Sequence, residues 1–303
     1  MINGQLNRRQ RIEESEPIMT DTLIVSTSDL FLHLSDPAWL VVDCRFYLQE
    51  PGRGRQEYLG SHIPGAVYAH LDEDLSDPVL PGRTGRHPLP NPEKAARAFG
   101  RLGIGPGLQV VAYDANGGAL AAARLWWMLR WLDFTTVAVL DGGWQHWVEA
   151  GFPVMSGAER RAPRFFMPQP HPEMLASVAE VEFMRRDKHQ RVLDARTYDR
   201  YLGQNEIIDP VAGHIPGAVS VPYTSTLNPD FTLRAPDELR ALYENALGEV
   251  PAAQAAVYCG SGVTAAQGIL AMMLAGLGEA RLYTGSWSEW ITDPSRPVAT
   301  GDR

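Results

Sequence analysis

The chain repeats itself over half its length. Val41-Val42-Asp43-Cys44-Arg45, followed by Tyr58-Leu59-Gly60-Ser61-His62-Ile63-Pro64-Gly65-Ala66-Val67, returns as Val192-Leu193-Asp194-Ala195-Arg196, then Tyr201-Leu202-Gly203 and Gly213-His214-Ile215-Pro216-Gly217-Ala218-Val219; the offset is 151 at the aspartates and 152 at the histidines. Farther on, Ala112-Tyr113-Asp114 matches Val257-Tyr258-Cys259. Leu140-Asp141-Gly142-Gly143-Trp144-Gln145-His146-Trp147 matches Tyr283-Thr284-Gly285-Ser286-Trp287-Ser288-Glu289-Trp290. Motifs that recur in the same order imply two copies of one domain. With 303 residues, 45% hydrophobic and 21% charged, the chain has the length and composition for two soluble globular domains of ordinary size.

Within each copy, short apolar runs alternate with helical patterns, which predicts an α/β fold with a parallel sheet covered by helices on both faces. Strands are expected at about 39–43, 66–69, 109–113 and 136–140, and again near 191–194, 218–221, 255–258 and 280–283. Asn91-Pro92-Glu93 reads as an N-cap followed by proline at the first helical position, and this helix ends near Leu102-Gly103. Its counterpart runs from about Pro236 to Gly248. Pro153, Pro163, Pro168, Pro170 and Pro172 mark an extended, semi-rigid linker. Residues 1–20 are polar and lack the apolar core of a signal peptide, so they read as a disordered extension, with Met19 a possible start of translation. The expected organisation is that extension, a first domain over 21–151, a linker over 152–174 and a second domain over 175–303. The cleft between two such domains is a favoured place for a small-molecule site.

One loop carries the chemistry. The apolar run Val257-Tyr258 stops at Cys259, turns through Gly260-Ser261-Gly262-Val263-Thr264 and enters Ala265 to Leu274. Read as strand, tight loop and helix, it places a thiol where backbone N–H groups and a positive helix end converge, surroundings that favour thiolate. Cys259 is therefore the candidate nucleophile. Three other readings compete: Gly260, Gly262 and Ala265 satisfy a GxGxxA dinucleotide fingerprint, though no clear acid ends a following strand. A phosphatase loop would carry an arginine where Ala265 stands. A buried, inert cysteine is the plainest alternative.

Charge and cysteine content narrow the partners. A formal net charge of −9 gives no general attraction to nucleic acid or anionic membranes, so an anionic substrate needs a local cluster of arginines. There is no run of about 20 apolar residues to span a membrane. The two cysteines, Cys44 and Cys259, lie in different halves, which argues against a disulfide framework and for a reducing, cytoplasmic setting.

Taken together, the paired HIPGA segments, the DGGWQHW and TGSWSEW pair and the loop CGSGVT resemble those of tandem rhodanese-domain sulfurtransferases, from about Leu23 to Thr300. The resemblance implies two rhodanese-like domains, the first non-catalytic and the second bearing the cysteine. It also implies transfer of sulfane sulfur from 3-mercaptopyruvate or thiosulfate, through a persulfide on Cys259, to cyanide or a thiol acceptor such as a thioredoxin-like protein. A persulfide-carrying module with little turnover is the alternative. No metal or organic cofactor is called for. Gly260, Gly262, Val263 and Thr264 then belong to an anion cradle for the sulfur. By the same resemblance Arg200 binds the donor's anionic group, Ser261 and Asp72 handle protons beside the cysteine, and His87 lies in the substrate cleft.

In the first copy Asp114 stands in the cysteine's place, followed by Ala115-Asn116-Gly117-Gly118, so that loop is expected to be silent and to lack the cradle. His62 and His214 recur in both copies and are expected to orient the chain. Trp126, Trp127 and Trp131 are expected in the core at helical spacing, and Trp287 and Trp290 in packing, with Trp287 also walling the cleft. Cys44 is expected buried and inert. For the donor, the uncharged Gly260 and Ser261 favour 3-mercaptopyruvate over the thiosulfate dianion. Residues 204–212, where relatives of that kind place a second donor arginine, contain none, a signal against that donor unless the first domain replaces the arginine.

Overall fold

The computed structural model describes residues 22–302. The expected extension over 1–20 and the alternative start at Met19 lie outside the described residues. The first half builds a five-stranded sheet from β1 (Ile24–Val25), β2 (Trp39–Asp43), β3 (Val67–Tyr68), β4 (Gln109–Tyr113) and β5 (Val137–Leu140), in the order β1-β5-β4-β2-β3. The second half builds a four-stranded sheet from β6 (Arg191–Asp194), β7 (Val219–Ser220), β8 (Ala255–Tyr258) and β9 (Arg281–Leu282), in the order β7-β6-β8-β9. Every pairing between these strands is parallel. The β1 equivalent survives in the second half as a parallel bridge from Leu175 to Leu282. The strands next to the HIPGA segments pair over two residues each, shorter than their apolar runs suggest.

The repeated Asp-x-Arg has a structural cause. Asp43 and Asp194 each end a central strand, and their carboxylates grip Arg45 and Arg196 at 2.6 Å, all four side chains buried. Each arginine also donates to a carbonyl just ahead of its HIPGA turn, Ser61 or Gly213. Buried ions need this combination of partner and hydrogen bonds to offset lost hydration. The two histidines do the corresponding job for the backbone. His62 and His214 bond through Nδ1 to the carbonyls of Tyr58 and Tyr201 at 2.7 and 2.8 Å, and each pairs its backbone with a later strand-like residue, Met155 or Ala299.

The helix over Pro92–Arg101 is capped by the Asn91 side chain, which accepts from the Lys94 N–H, and its counterpart runs Pro236–Leu247 with Gly248 beyond it. Residues 152–171 carry no helix and run extended along the first half, tied to it by Gly157 N–H to Leu59 O and Arg164 N–H to Gly100 O. Trp126, Trp127 and Trp131 are buried on the helix Ala121–Trp131, which packs against the helix Thr264–Leu274 of the other half. Apolar side chains from both halves consequently form one continuous core. Because these two helices follow the two matching loops, the repeats meet loop side to loop side. The segment around Arg86-His87 covers the loop of Cys259, and in exchange the segment around Phe231 covers the loop of Asp114.

Candidate active site

Cys259 stands one residue past the C-terminal end of β8, an inner strand of its sheet, the usual ligand-binding edge of a parallel sheet. The chain can turn there because Gly262 adopts φ +74°; a Cβ at that position would lie 2.4 Å from the Thr284 carbonyl oxygen. The turn aims Gly262 N–H at the Cys259 sulfur at 3.2 Å, and the Thr264 hydroxyl and the N–H groups of Ser261, Val263 and Ala265 face it as well. Cys259 is 2% exposed. Burial pushes its pKa up, but these donors outweigh burial and hold it below the ordinary thiol value. Cys44 has no such cradle, and burial together with Asp43 and Asp114 pushes its thiol well up.

Ser286 was not singled out in the sequence, yet it anchors the loop from behind. It occupies the left-handed region at φ +55°, where the first repeat has Gly143 at φ +57°. Its hydroxyl accepts the Cys259 N–H at 3.0 Å and donates to Tyr283 O at 2.8 Å. A serine where the repeat has a glycine was the available signal. Such a backbone costs about 1–3 kcal/mol and is held by its surroundings.

A chain of polar contacts reaches the loop from the first half. His87 is 4% exposed, and its Nδ1 lies 2.7 Å from Ser261 Oγ, while Nε2 lies 3.4 Å from an Asp72 carboxylate oxygen. A carboxylate only accepts, so Asp72 favours the proton on Nε2 and leaves Nδ1 to accept from the serine hydroxyl. Burial lowers the His87 pKa against the opposing pull of Asp72, so the imidazole is neutral at pH 7. Within the acidic run, Glu73, Asp74 and Asp77 pair with surface cations Arg55, Arg101 and Lys94, whereas Asp72 turns to His87, whose bond holds its pKa down.

Arg200, on the helix Tyr198–Leu202, is not a loose surface arginine. It is bound by Glu206 and Asp209, both almost fully buried, at 2.9 Å each. Asp209 also takes Arg86 of the first half at 2.5 Å, so one carboxylate sets two guanidinium groups side by side. They lean over Gly260, where a Cβ would lie 3.0 Å from Arg86 and 3.5 Å from Arg200. Arg86 thus brings a cation of the first half to the loop, beside Arg200. Arg86 stands beside His87 in the sequence, and Glu206 and Asp209 lie within the arginine-free stretch 204–212.

Cys259, Gly260, Ser261, Val263, Thr264, His87, Arg86, Arg200 and Arg196 line one cavity of about 290 Å³ between the halves, closed on its apolar side by Phe46, Leu71 and Leu120. Asp72 and Gly262 lie behind this lining, the first against His87 and the second beneath the sulfur. Trp287 does not wall the cleft. It is fully buried beneath Arg196, whose guanidinium lies 4.7 Å from the ring centre, and its indole N–H goes to Val211 O.

The matching loop of the first half corrects an expectation. Its cradle is present and occupied: the Asp114 carboxylate accepts N–H groups from Asn116, Gly118, Leu120 and Ala122 at 2.8–3.1 Å. The converging donors come from the loop's backbone path, which the altered side chains did not abolish. Phe231 of the other half lies so close that a Cβ on Gly117 would meet its carbonyl oxygen at 2.1 Å.

Comparison with known proteins agrees with this architecture. The model of the rhodanese-like domain family matches residues 26–150 and again 177–293. A Pseudomonas aeruginosa protein described as a probable 3-mercaptopyruvate sulfurtransferase is 44% identical over 285 residues, 94% of this chain and 100% of its own. The thiosulfate sulfurtransferase of Rattus norvegicus is 34% identical over 88% of this chain and 90% of its own. The structure of 3-mercaptopyruvate sulfurtransferase from Leishmania major superposes with a TM-score of 0.79 at 32% identity, covering 91% of this chain and 75% of that one.

Proposed function

This chain belongs to the rhodanese family and is a sulfurtransferase, and from that premise we propose that it moves sulfane sulfur from 3-mercaptopyruvate to a thiol or cyanide through a persulfide on Cys259. The observation that carries the reading is the convergence, in one cavity, of a cradled thiol, a serine–histidine–aspartate path and two paired arginines. In this reading the second repeat is catalytic, and the first lends it Arg86, His87 and Asp72.

The donor's carboxylate sits against Arg86 and Arg200, each of which can give it a charge-assisted hydrogen bond. The Cys259 thiolate attacks the donor sulfur, so that an S–S bond forms, the C–S bond breaks, and its electron pair leaves on pyruvate enolate. The donor's S–H proton passes by way of Ser261 and His87 to the enolate carbon, releasing pyruvate and leaving a persulfide anion among the loop N–H groups. Cyanide or a thiolate, including that of a thioredoxin-like protein, then attacks the outer sulfur and Cys259 departs as thiolate. No described helix is long and apolar enough to cross a membrane. A reducing compartment such as the cytoplasm suits a nucleophile that must stay an unpaired thiol.

Thiosulfate is the second reading, favoured by Arg196, which lines the cavity beside the arginine pair. That donor gives up its outer sulfur with sulfite leaving, and no proton moves. Steady-state pyruvate release from 3-mercaptopyruvate, set against thiocyanate formation from thiosulfate and cyanide, separates the two. A higher kcat/KM for 3-mercaptopyruvate is expected; the reverse order overturns the donor assignment, and neither rate above background leaves the persulfide-carrying module.

A further inference from the structure

Arg124 has no part in the reaction just described, yet it is fully buried on the helix Ala121–Trp131 at the seam between the repeats. A buried guanidinium without a counter-ion is expensive. Around Cys259 the other guanidinium groups have carboxylates: Arg86 has Asp209, Arg196 has Asp194, and Arg200 has Glu206 and Asp209. Arg124 has no carboxylate within ion-pair distance among the described residues, and its Nε has no hydrogen-bond partner.

What it does have is two backbone carbonyls. One terminal nitrogen donates to Gly262 O at 3.0 Å and the other to His87 O at 3.4 Å. The Gly262 carbonyl shares its peptide plane with the Val263 N–H, and in a trans peptide the two point in opposite directions. That N–H is one of the donors facing the Cys259 sulfur. The guanidinium therefore pulls on one end of a peptide whose other end holds the sulfur, and hydrogen bonds in such a chain strengthen one another. The second contact fixes the segment that brings His87 to Ser261.

We propose that Arg124 is a positioning residue for sulfur transfer: it locks the Gly262–Val263 peptide with its N–H toward Cys259, clamps the His87 segment to the same loop, and has the Cys259 thiolate or persulfide as its counter-charge. The proposal rests on the assignment of Cys259 as the sulfur-carrying thiol. Burial lowers the Arg124 pKa to about 10 and the nearby Cys259 sulfur opposes that shift, so the guanidinium is charged at neutral pH. The other charged or titratable groups facing the thiol's cavity are Arg86 and His87 from the first half and Arg196, Arg200 and Tyr223 from the second. A change at 124 alters none of these side chains themselves.

The test is the pH dependence of Cys259 alkylation by iodoacetamide, located by peptide mass spectrometry, in the full chain and in its Arg124→Met and Arg124→Lys variants. Arg124→Met should move the midpoint up by about one pH unit, the lower end of what a neighbouring opposite charge does to an ionisable group. Arg124→Lys keeps the charge but reaches one carbonyl, and should move it less. In both, kcat should fall while KM for the donor holds, because Arg124 does not touch the donor site. If Arg124→Met fails to fold, the lysine variant carries the same readout. A folded Arg124→Met variant with the wild-type midpoint overturns the proposal, since the thiol would then not depend on the guanidinium. Alkylation needs no sulfur donor, so this outcome is independent of whether Cys259 takes up sulfur, which donor treatment of the wild type reports separately.

Discussion

His87 Nδ1 lies 2.7 Å from Ser261 Oγ, across 174 positions of sequence and the seam between the two repeats. In the proposed mechanism the contact makes proton handling a property of the interface. It also separates the two donors, because release of pyruvate needs a proton on carbon and release of sulfite needs none. His87→Ala and Ser261→Ala should each lower kcat for 3-mercaptopyruvate by about 100-fold, the lower range for loss of a general acid–base group. With thiosulfate the loss should stay under about tenfold. Parallel kcat measurements on both donors decide it, and equal losses would remove the relay from the mechanism.

Arg86 is expected to act on binding. Arg86→Ala removes one charge-assisted hydrogen bond to the donor carboxylate, about 1.5–3 kcal/mol, which corresponds to a rise in KM of roughly tenfold or more with a smaller change in kcat. Steady-state kinetics on 3-mercaptopyruvate provides the check. An unchanged KM would mean that Arg200 alone holds the donor. Inserting a basic side chain at Gly260 is a poor alternative test, since its Cβ would already meet the arginine pair.

The two thiols should differ sharply in reactivity. Against burial, which raises it, the loop donors hold the Cys259 pKa below the ordinary thiol value, so thiolate persists toward neutral pH and is lost as pH falls through that lowered pKa. His87, whose pKa burial depresses, stays neutral over the same range and charges only on the acid side. Activity should therefore fall as the solution is acidified, and iodoacetamide at pH 7 should modify Cys259 while sparing Cys44, whose pKa burial raises. Peptide mapping reads the ratio directly; comparable labelling of Cys44 would contradict the account.

Asp114 should matter to stability. Its carboxylate serves four backbone N–H groups, and Asp114→Ala strands them in the interior at about 1–3 kcal/mol for each one left without water. Urea unfolding should show a loss of at least about 2 kcal/mol with kcat little changed. A loss below about 0.5 kcal/mol would mean that solvent replaces the carboxylate freely. Asp114→Cys should still create no second cyanide-labile sulfur, now because Phe231 closes the loop, the cradle itself being present.

The repeat made the fold legible. Matching motifs placed four parallel strands in each half, since central strands buried on both faces must be apolar throughout. What escaped was β1, two residues long, and the shortness of β3 and β7, because an edge strand that pairs over two residues leaves no periodicity. At the site, the Cys259 loop was readable because its chemistry is local. Arg86 with Asp209 was not: the partners lie 123 positions apart, and only packing of the halves brings them together. The filled cradle at Asp114 escaped for another reason. It is made of backbone N–H groups, and their direction follows from the path of the chain and leaves no mark in side-chain identity.

The central claim is that Cys259 carries the transferred sulfur, and intact-protein and peptide mass spectrometry after treatment with 3-mercaptopyruvate tests it most directly. The wild type should gain one sulfur, about 32 Da, on the peptide containing Cys259, and lose it on addition of cyanide. Cys259→Ser should keep the fold and gain none, since a hydroxyl cannot form a persulfide. Added sulfur on Cys44, or turnover surviving in Cys259→Ser, would contradict the account.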